Sequence, residues 1–283
     1  MFRLLVTDID DTLLAADGSL PPENHDVLNR LHARGVTIVF CSGRSDLSIQ
    51  RIASPILEPA DDEYYIAFNG ARTVTAASRR IVSRRYVSPE AVARVVSYAH
   101  EHGLHIQGYT DDDFLVEADD EYTRMYAEAT KTSPTIVPDL AAALPGGSPK
   151  LLIVGEPDEL VPHRDALARL GAREGHAGSG GTAGHDPDEG FVAMFSKPKY
   201  LEVVAAGVNK GDAVRRLASV LGVPVEETIA VGDGDNDVEM IRSAGTGLAV
   251  ASAHASAREA ADVVLESGAQ DAAFVEIERR FFA

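Results

Sequence analysis

The chain has 283 residues, enough for about two domains, with 45% hydrophobic and 25% charged residues, the balance of a soluble globular protein. Aspartate and glutamate number 44 against 26 lysines and arginines, giving a formal charge of −18 that argues against nucleic acid as a partner. No stretch supplies the roughly 18 apolar residues of a membrane helix, and the N-terminus shows no signal-peptide pattern, so no membrane association is expected. A single cysteine, Cys41, rules out an internal disulfide and fits a cytoplasmic location.

The first predicted strand, Leu4 to Thr7, runs directly into Asp8, Asp10, Asp11 and Thr12. In an open α/β sheet, ligands bind outside the carboxyl ends of the strands, so acids there read as a site. Asp8 and Asp10 can share a pocket while Ile9 points away. A helix follows from Pro21-Pro22 to Gly35, with proline in its first turn, Val27, Leu28 and Leu31 on one face, and a closing glycine. Val36 to Cys41 is a second buried strand, and its terminal cysteine reads as a packed thiol rather than a nucleophile. It ends in Ser42-Gly43-Arg44, a hydroxyl and free backbone N–H groups suited either to an anion or to capping the next helix. Strand, helix, strand is the parallel crossover unit. Tyr64 to Phe68 is a third strand, ending in the polar turn Asn69-Gly70.

From about Ile81 the pattern changes to short strands mixed with helices, which predicts an inserted α+β unit over residues 83–196 between core segments 1–82 and 197–283. Crossings are expected near Arg80 to Ser83 and Ser196 to Lys199. Within the insert, the glycine-rich stretch 171–190 reads as a loop, and its His176 and His185 lack ligand-spaced partners. After it, Asn209-Lys210-Gly211 opens a helix, although a lysine is slightly disfavoured at a helix N-terminus. Thr228 to Val231 is a strand that ends in Gly232-Asp233-Gly234-Asp235-Asn236-Asp237. An EF-hand is excluded there because loop position 12 is Ala244 rather than glutamate.

If their strands are neighbours, Asp8, Asp10, Asp233 and Asp237 converge. Carboxylates about 4 Å apart repel by roughly 4 kcal/mol at an effective dielectric of about 20, so the group demands a cation. Oxygen-only ligands favour Mg²⁺. Ser42, Lys210 and the backbone N–H groups near Ile9 and Gly43 then form an anion-binding side, which together with the metal suits a phosphoryl group.

Asp8-Ile9-Asp10-Asp11-Thr12-Leu13-Leu14, Ser42-Gly43-Arg44, Asn69-Gly70, Lys210-Gly211 and Gly232-Asp233 through Asn236-Asp237 resemble, in order and spacing, the motifs of the haloacid dehalogenase superfamily, in particular its Cof-type phosphatases. The resemblance implies a Rossmann-like parallel sheet with helices on both faces and a large inserted α/β cap of type IIB. It implies Asp8 as nucleophile, forming an aspartyl-phosphate, and Asp10 as acid and base. It also implies Mg²⁺ held by Asp8, the Asp10 carbonyl, Asp233 and, through water, Asp237. Ser42, Gly43, Lys210, Asn236 and the Ile9 backbone would hold the phosphate, with Arg44 and Asn69 as candidate substrate contacts. Asp11 departs from the glycine that many relatives carry.

The expected function is therefore Mg²⁺-dependent hydrolysis of a small phosphorylated metabolite, such as a sugar phosphate, by a cytoplasmic monomer or homodimer. A phosphosugar mutase on the same scaffold and a non-enzymatic receiver-type phosphoacceptor remain as alternatives. The leaving-group acid Asp10 and the long insert argue against the latter.

Overall fold

The computed structural model describes residues 1–111, 113–172 and 190–283. Residues 173–189 of the glycine-rich stretch, with His176 and His185, lie outside the described residues. The chain forms two units, Met1–Arg84 with Val208–Ala283, and Arg85–Gly207.

The first unit begins with β1 (Leu4–Thr7), α1 (Pro22–Ala33), β2 (Thr37–Cys41), α2 (Asp46–Ala53), β3 (Tyr64–Ala67), β4 (Arg72–Thr75) and β5 (Ile81–Arg84). The second unit comprises α3 (Pro89–Glu101), β6 (His105–Tyr109), β7 (Phe114–Val116), α4 (Glu121–Thr130), β8 (Pro134–Ile136), β9 (Leu151–Val154), α5 (Pro157–Gly171), β10 (Phe191–Lys197) and β11 (Tyr200–Ala205). The chain then completes the first unit with α6 (Lys210–Leu221), β12 (Thr228–Gly232), α7 (Val238–Ser243), β13 (Thr246–Ala249), α8 (Ala255–Ala260), β14 (Val263–Val264) and α9 (Ala273–Phe281).

The first unit's sheet runs β14-β13-β12-β1-β2-β3-β4-β5. Neighbours from β14 to β3 are parallel, whereas β4 and β5 add an antiparallel hairpin at one edge. The central strands are near-continuous apolar runs because both of their faces are covered. Leu4, Val6, Val39, Cys41, Ile66 and Ala230 pack with Ala213, Val214 and Leu217 of α6. The alternate residues Leu5, Ile38 and Phe40 are equally buried and face the opposite side, where α1 lies against β2 and α9. The chain proceeds from β1 through β2 to β3 on one side and returns with β12 on the other. β1 and β12 thus flank the topological switch point, where ligands bind in such sheets.

The second unit has its own sheet, β10-β11-β9-β6-β7-β8. Its core unites Val92, Val95 and Val96 of α3 and Leu160 and Leu167 of α5 with Leu151, Ile153, Leu201 and Val203 from the sheet. The units change over at Arg84/Arg85, beside the expected residue 83, and at Gly207/Val208, past the expected residue 197. The second shift is the larger, because Tyr200–Ala205 pairs with Phe191–Lys197 and Leu151–Val154 and therefore belongs to the insert's sheet. Among the described residues no helix is long and apolar enough to cross a membrane.

Local chemistry sets the ends of α6. The Asn209 side chain accepts from the Asp212 N–H at 2.7 Å, and Gly222 closes the helix in the left-handed region at φ +62°. Within α6, Gly211 lets the helix press against α7, since a Cβ there would lie 2.1 Å from the Glu239 carbonyl oxygen. Gly211→Ala is expected to lower unfolding free energy by about 1–3 kcal/mol through overpacking. A urea titration with an unchanged midpoint would show that α6 and α7 separate freely.

Candidate active site

Each strand end at the switch point contributes a polar loop. Asp8 follows β1 in register, its N–H donating to the Val231 carbonyl of β12 at 3.0 Å. Its side chain is almost fully buried, as are those of Asp237 and Lys210. Lys210 Nζ donates to Asp8 Oδ1 at 2.5 Å and to Asp237 Oδ1 at 2.6 Å. This accounts for a lysine at a helix start, since the two carboxylates outweigh the weak helix-dipole penalty. Lys210, expected among the phosphate-binding groups, has its ammonium fully buried and gives hydrogen bonds to these two acids.

Asp237 also organises its own loop, a 3₁₀ turn over Asp235–Asp237. Its Oδ2 accepts from the backbone N–H groups of Asp233 (3.0 Å) and Gly234 (2.9 Å). The carboxylate folds over Gly232, where a Cβ would lie 2.5 Å from the Asp237 Cβ. Asp233 is held from another side by the Thr12 hydroxyl, which donates to its Oδ1 at 2.8 Å. Thr12 was not among the expected site residues, although a hydroxyl immediately after the acidic run was the available signal.

Ligand oxygens of Asp8, Asp233 and Asp237 lie within 4.8 Å of one another. Burial, reinforced by Asp237, pushes the Asp8 carboxyl well above the ordinary carboxylate range despite Lys210. Burial likewise raises Asp233 to about 6. For Lys210 burial disfavours the charge, yet Asp237 and Asp8 hold its pKa above the ordinary value. Fully ionised, three carboxylates against one ammonium would leave two excess negative charges in this cluster. An all-oxygen donor set with that deficit fits a divalent hard cation such as Mg²⁺. Asp10 was also expected at the metal, through its carbonyl. Its carboxylate is outside the cluster and half-exposed, paired with Arg44.

The other loops meet beside these. Asn69 adopts φ +54° and ψ +31°, a left-handed turn that asparagine tolerates. The turn is pinned to the Ser42–Arg44 loop, the Asn69 N–H donating to the Ser42 carbonyl at 3.0 Å and the Phe68 N–H to the Arg44 carbonyl at 2.9 Å. Gly43 leaves room for the Asn69 amide, 3.2 Å from where a Cβ would stand. Asn236 Nδ2 donates to Asn69 Oδ1 at 3.1 Å, linking the loop after β12 to the turn after β3. Ile9 is fully buried, leaving only its backbone to act. Asp11 sits at φ +59°, in the left-handed region that aspartate is among the residues to tolerate. Cys41 is an inert core thiol, its pKa driven up by burial.

A buried cluster of acids and a lysine at the switch point of a parallel sheet, in a chain with a separate inserted unit, defines a hydrolase of the haloacid dehalogenase type. The family model for haloacid dehalogenase-like hydrolases matches residues 5–277, and the chain belongs to that family. It is 25% identical over 270 residues to "Putative phosphatase YxeH" of Bacillus subtilis, covering 93% of this chain and 92% of that protein. It is 29% identical over 253 residues to the "HMP-PP phosphatase" of Cronobacter sakazakii, covering 89% and 85%. A haloacid dehalogenase-like hydrolase structure from Bacteroides thetaiotaomicron superimposes with a TM-score of 0.85 at 26% identity, covering 99% of this chain and 100% of that one. The protein is thus an enzyme of the Cof-type phosphatase group.

The raised pKa of Asp233 makes a stability prediction. A carboxyl titrating near 6 when folded, against about 3.9 unfolded, adds stability at low pH that is lost as pH rises through 6. In chelator at about pH 7.5, Asp233→Asn should therefore melt a few degrees above wild type, and the gap should close as pH falls toward about 4. Mg²⁺ should raise the melting point of wild type more than that of the variant, and a pH-independent gap in thermal scans would overturn the assignment.

Proposed function

We propose that the protein is a Mg²⁺-dependent phosphatase of small phosphorylated metabolites, acting through an aspartyl-phosphate on Asp8. The observation that carries this is the buried Asp8–Lys210–Asp237 group beside Asp233 at the switch point. A carboxylate oriented by an ammonium is a nucleophile held in one rotamer, with its charge supported during attack.

In the first half-reaction an Asp8 oxygen bonds to phosphorus and the ester P–O bond breaks. The leaving oxygen takes a proton from the Asp10 carboxyl. In the second, Asp10 removes a proton from water as its oxygen bonds to phosphorus. The Asp8–phosphorus bond breaks, and inorganic phosphate leaves with the Asp8 carboxylate restored. Asp8, the Asp10 carbonyl and Asp233 would hold Mg²⁺, with Asp237 supporting; the cation supplies neutralisation of phosphoryl charge. Ser42, Gly43, Asn236 and the Ile9 backbone follow the neighbouring strands β2, β12 and β1, and we assign them to the phosphate. Lys210, which also holds Asp8, is assigned to the phosphate with them, and Asn69 holds Asn236.

The second unit is assigned to choosing among esters, because every group named so far belongs to the first unit and phosphate alone does not distinguish metabolites. Sugar phosphates and related phosphomonoesters form the expected substrate class, and HMP-PP, from the name of the Cronobacter relative, belongs in the same panel. Membership in a hydrolase family favours water over sugar as the final acceptor.

Asp8→Asn should still fold, though less stably because Lys210 loses one charged partner, and lower kcat for phosphate release by at least about a thousandfold. A purified variant retaining a tenth of wild-type turnover would remove Asp8 as nucleophile. Activity should also vanish in excess chelator and fall when Ca²⁺ replaces Mg²⁺, because Ca²⁺ takes about 6–8 ligands and can draw in both Asp8 oxygens. Full turnover in chelator, measured by phosphate release, would overturn the metal assignment.

A further inference from the structure

The Asp10 carboxylate, assigned above to proton transfer, is engaged by a single partner. Its two oxygens are both taken by one guanidinium, Arg44 Nε donating to Oδ2 at 2.8 Å and Nη2 to Oδ1 at 2.6 Å. A fork-on-fork pair of this kind fixes the orientation of the carboxylate as well as attracting it. The Arg44 backbone is anchored, its N–H donating to Ser42 Oγ at 3.2 Å and its carbonyl accepting from Phe68 at 2.9 Å. Only the side chain is left to move. Both side chains are about half-exposed, Arg44 at 43% and Asp10 at 49%, so an incoming ligand can reach the pair.

The planar guanidinium fits phosphoryl oxygens by the same two-point geometry that it uses on a carboxylate. Resting on the phosphatase reading above, we infer that Arg44 is a positioning residue. It holds Asp10 aside in the resting enzyme and releases it when a phosphoryl group takes over the guanidinium. The exchange couples arrival of the phosphate to availability of the proton-transfer group, and departure of the phosphate restores the pair.

Competition for one guanidinium makes a prediction that does not depend on turnover. Inorganic phosphate is titrated calorimetrically, with Mg²⁺ present, into the full-length protein and its variants. Asp10→Asn removes the internal competitor and should bind phosphate about five- to tenfold more tightly than wild type. Arg44→Gln should bind it about tenfold more weakly. In the double variant the gain from Asp10→Asn should disappear, leaving affinity within about twofold of Arg44→Gln. A gain of equal size in both backgrounds would mean that Asp10→Asn only relieves general charge repulsion, and would overturn the inference while leaving the phosphatase reading intact. Failure of every variant to bind phosphate, together with no phosphate release from any ester by wild type, would overturn both. Arg44→Lys keeps the charge without the fork and should recover less than half of the lost binding free energy; full recovery would show that the fork plays no part.

Discussion

The Lys210 ammonium, buried between Asp8 and Asp237, is the interaction on which the rest of the site depends. A charge removed from water in this way is tolerated only where partners meet it with good geometry. Here the partners come from β1 and from the loop after β12, while the lysine opens α6, so one Nζ ties three elements together. Losing a single member of a buried ion pair typically costs about 3–5 kcal/mol, because the remaining charge is left uncompensated. The tight glycines follow from this arrangement. Gly232 lets Asp237 fold back over its strand, Gly211 seats α6 on α7, and Gly70, at φ +99°, lets the Asn69 turn approach the Asn209 carbonyl that precedes the lysine.

The same cluster is deliberately short of positive charge. Lys210 answers two carboxylates, and Asp233 adds a third whose Oδ1 accepts from a threonine hydroxyl. Burial then works against ionisation, raising both Asp8 and Asp233. A fold selected for stability alone would not gather three acids there. Perturbed carboxyls gathered at a strand end are the physical mark of a functional site, because a bound cation would resolve the conflict that the protein itself leaves standing.

Much of this was legible from local pattern. Asp8, Ser42, Asn69 and Asp233 each follow an apolar run, and period and length suffice to place a strand end. Non-local facts were not legible. Nothing in Lys210-Gly211 says that the lysine turns inward, since the acids it meets lie 202 and 27 residues away in sequence. β4 escaped because Arg72-Thr73-Val74-Thr75 carries an arginine that reads as surface, whereas Arg72 is buried and pairs with Asp46 at 3.7 Å. Tyr200–Ala205 was legible as a strand but not as part of the insert, because hydrogen-bond partners rather than periodicity decide which sheet a strand joins. The Arg44–Asp10 fork was equally hidden, since the sequence placed both residues at the site but did not pair them.

Where the insert leaves the first unit has a physical logic. The chain departs from β5, the outer strand of an antiparallel hairpin at the sheet's edge, and re-enters at Val208, directly before α6. No parallel strand at the switch point is interrupted, and β1, β2 and β12 keep their neighbours. The insert closes its own core around α3, α5 and one sheet face, so the first unit need not lend it apolar surface. An insertion between β1 and β2 would instead lengthen the crossover that sets Asp8 beside Ser42. One placed between β12 and α7 would break the turn in which Asp237 holds the N–H groups of Asp233 and Gly234. The edge hairpin is thus a position where a large unit can change in sequence while the carboxylates, the lysine and their glycines stay fixed.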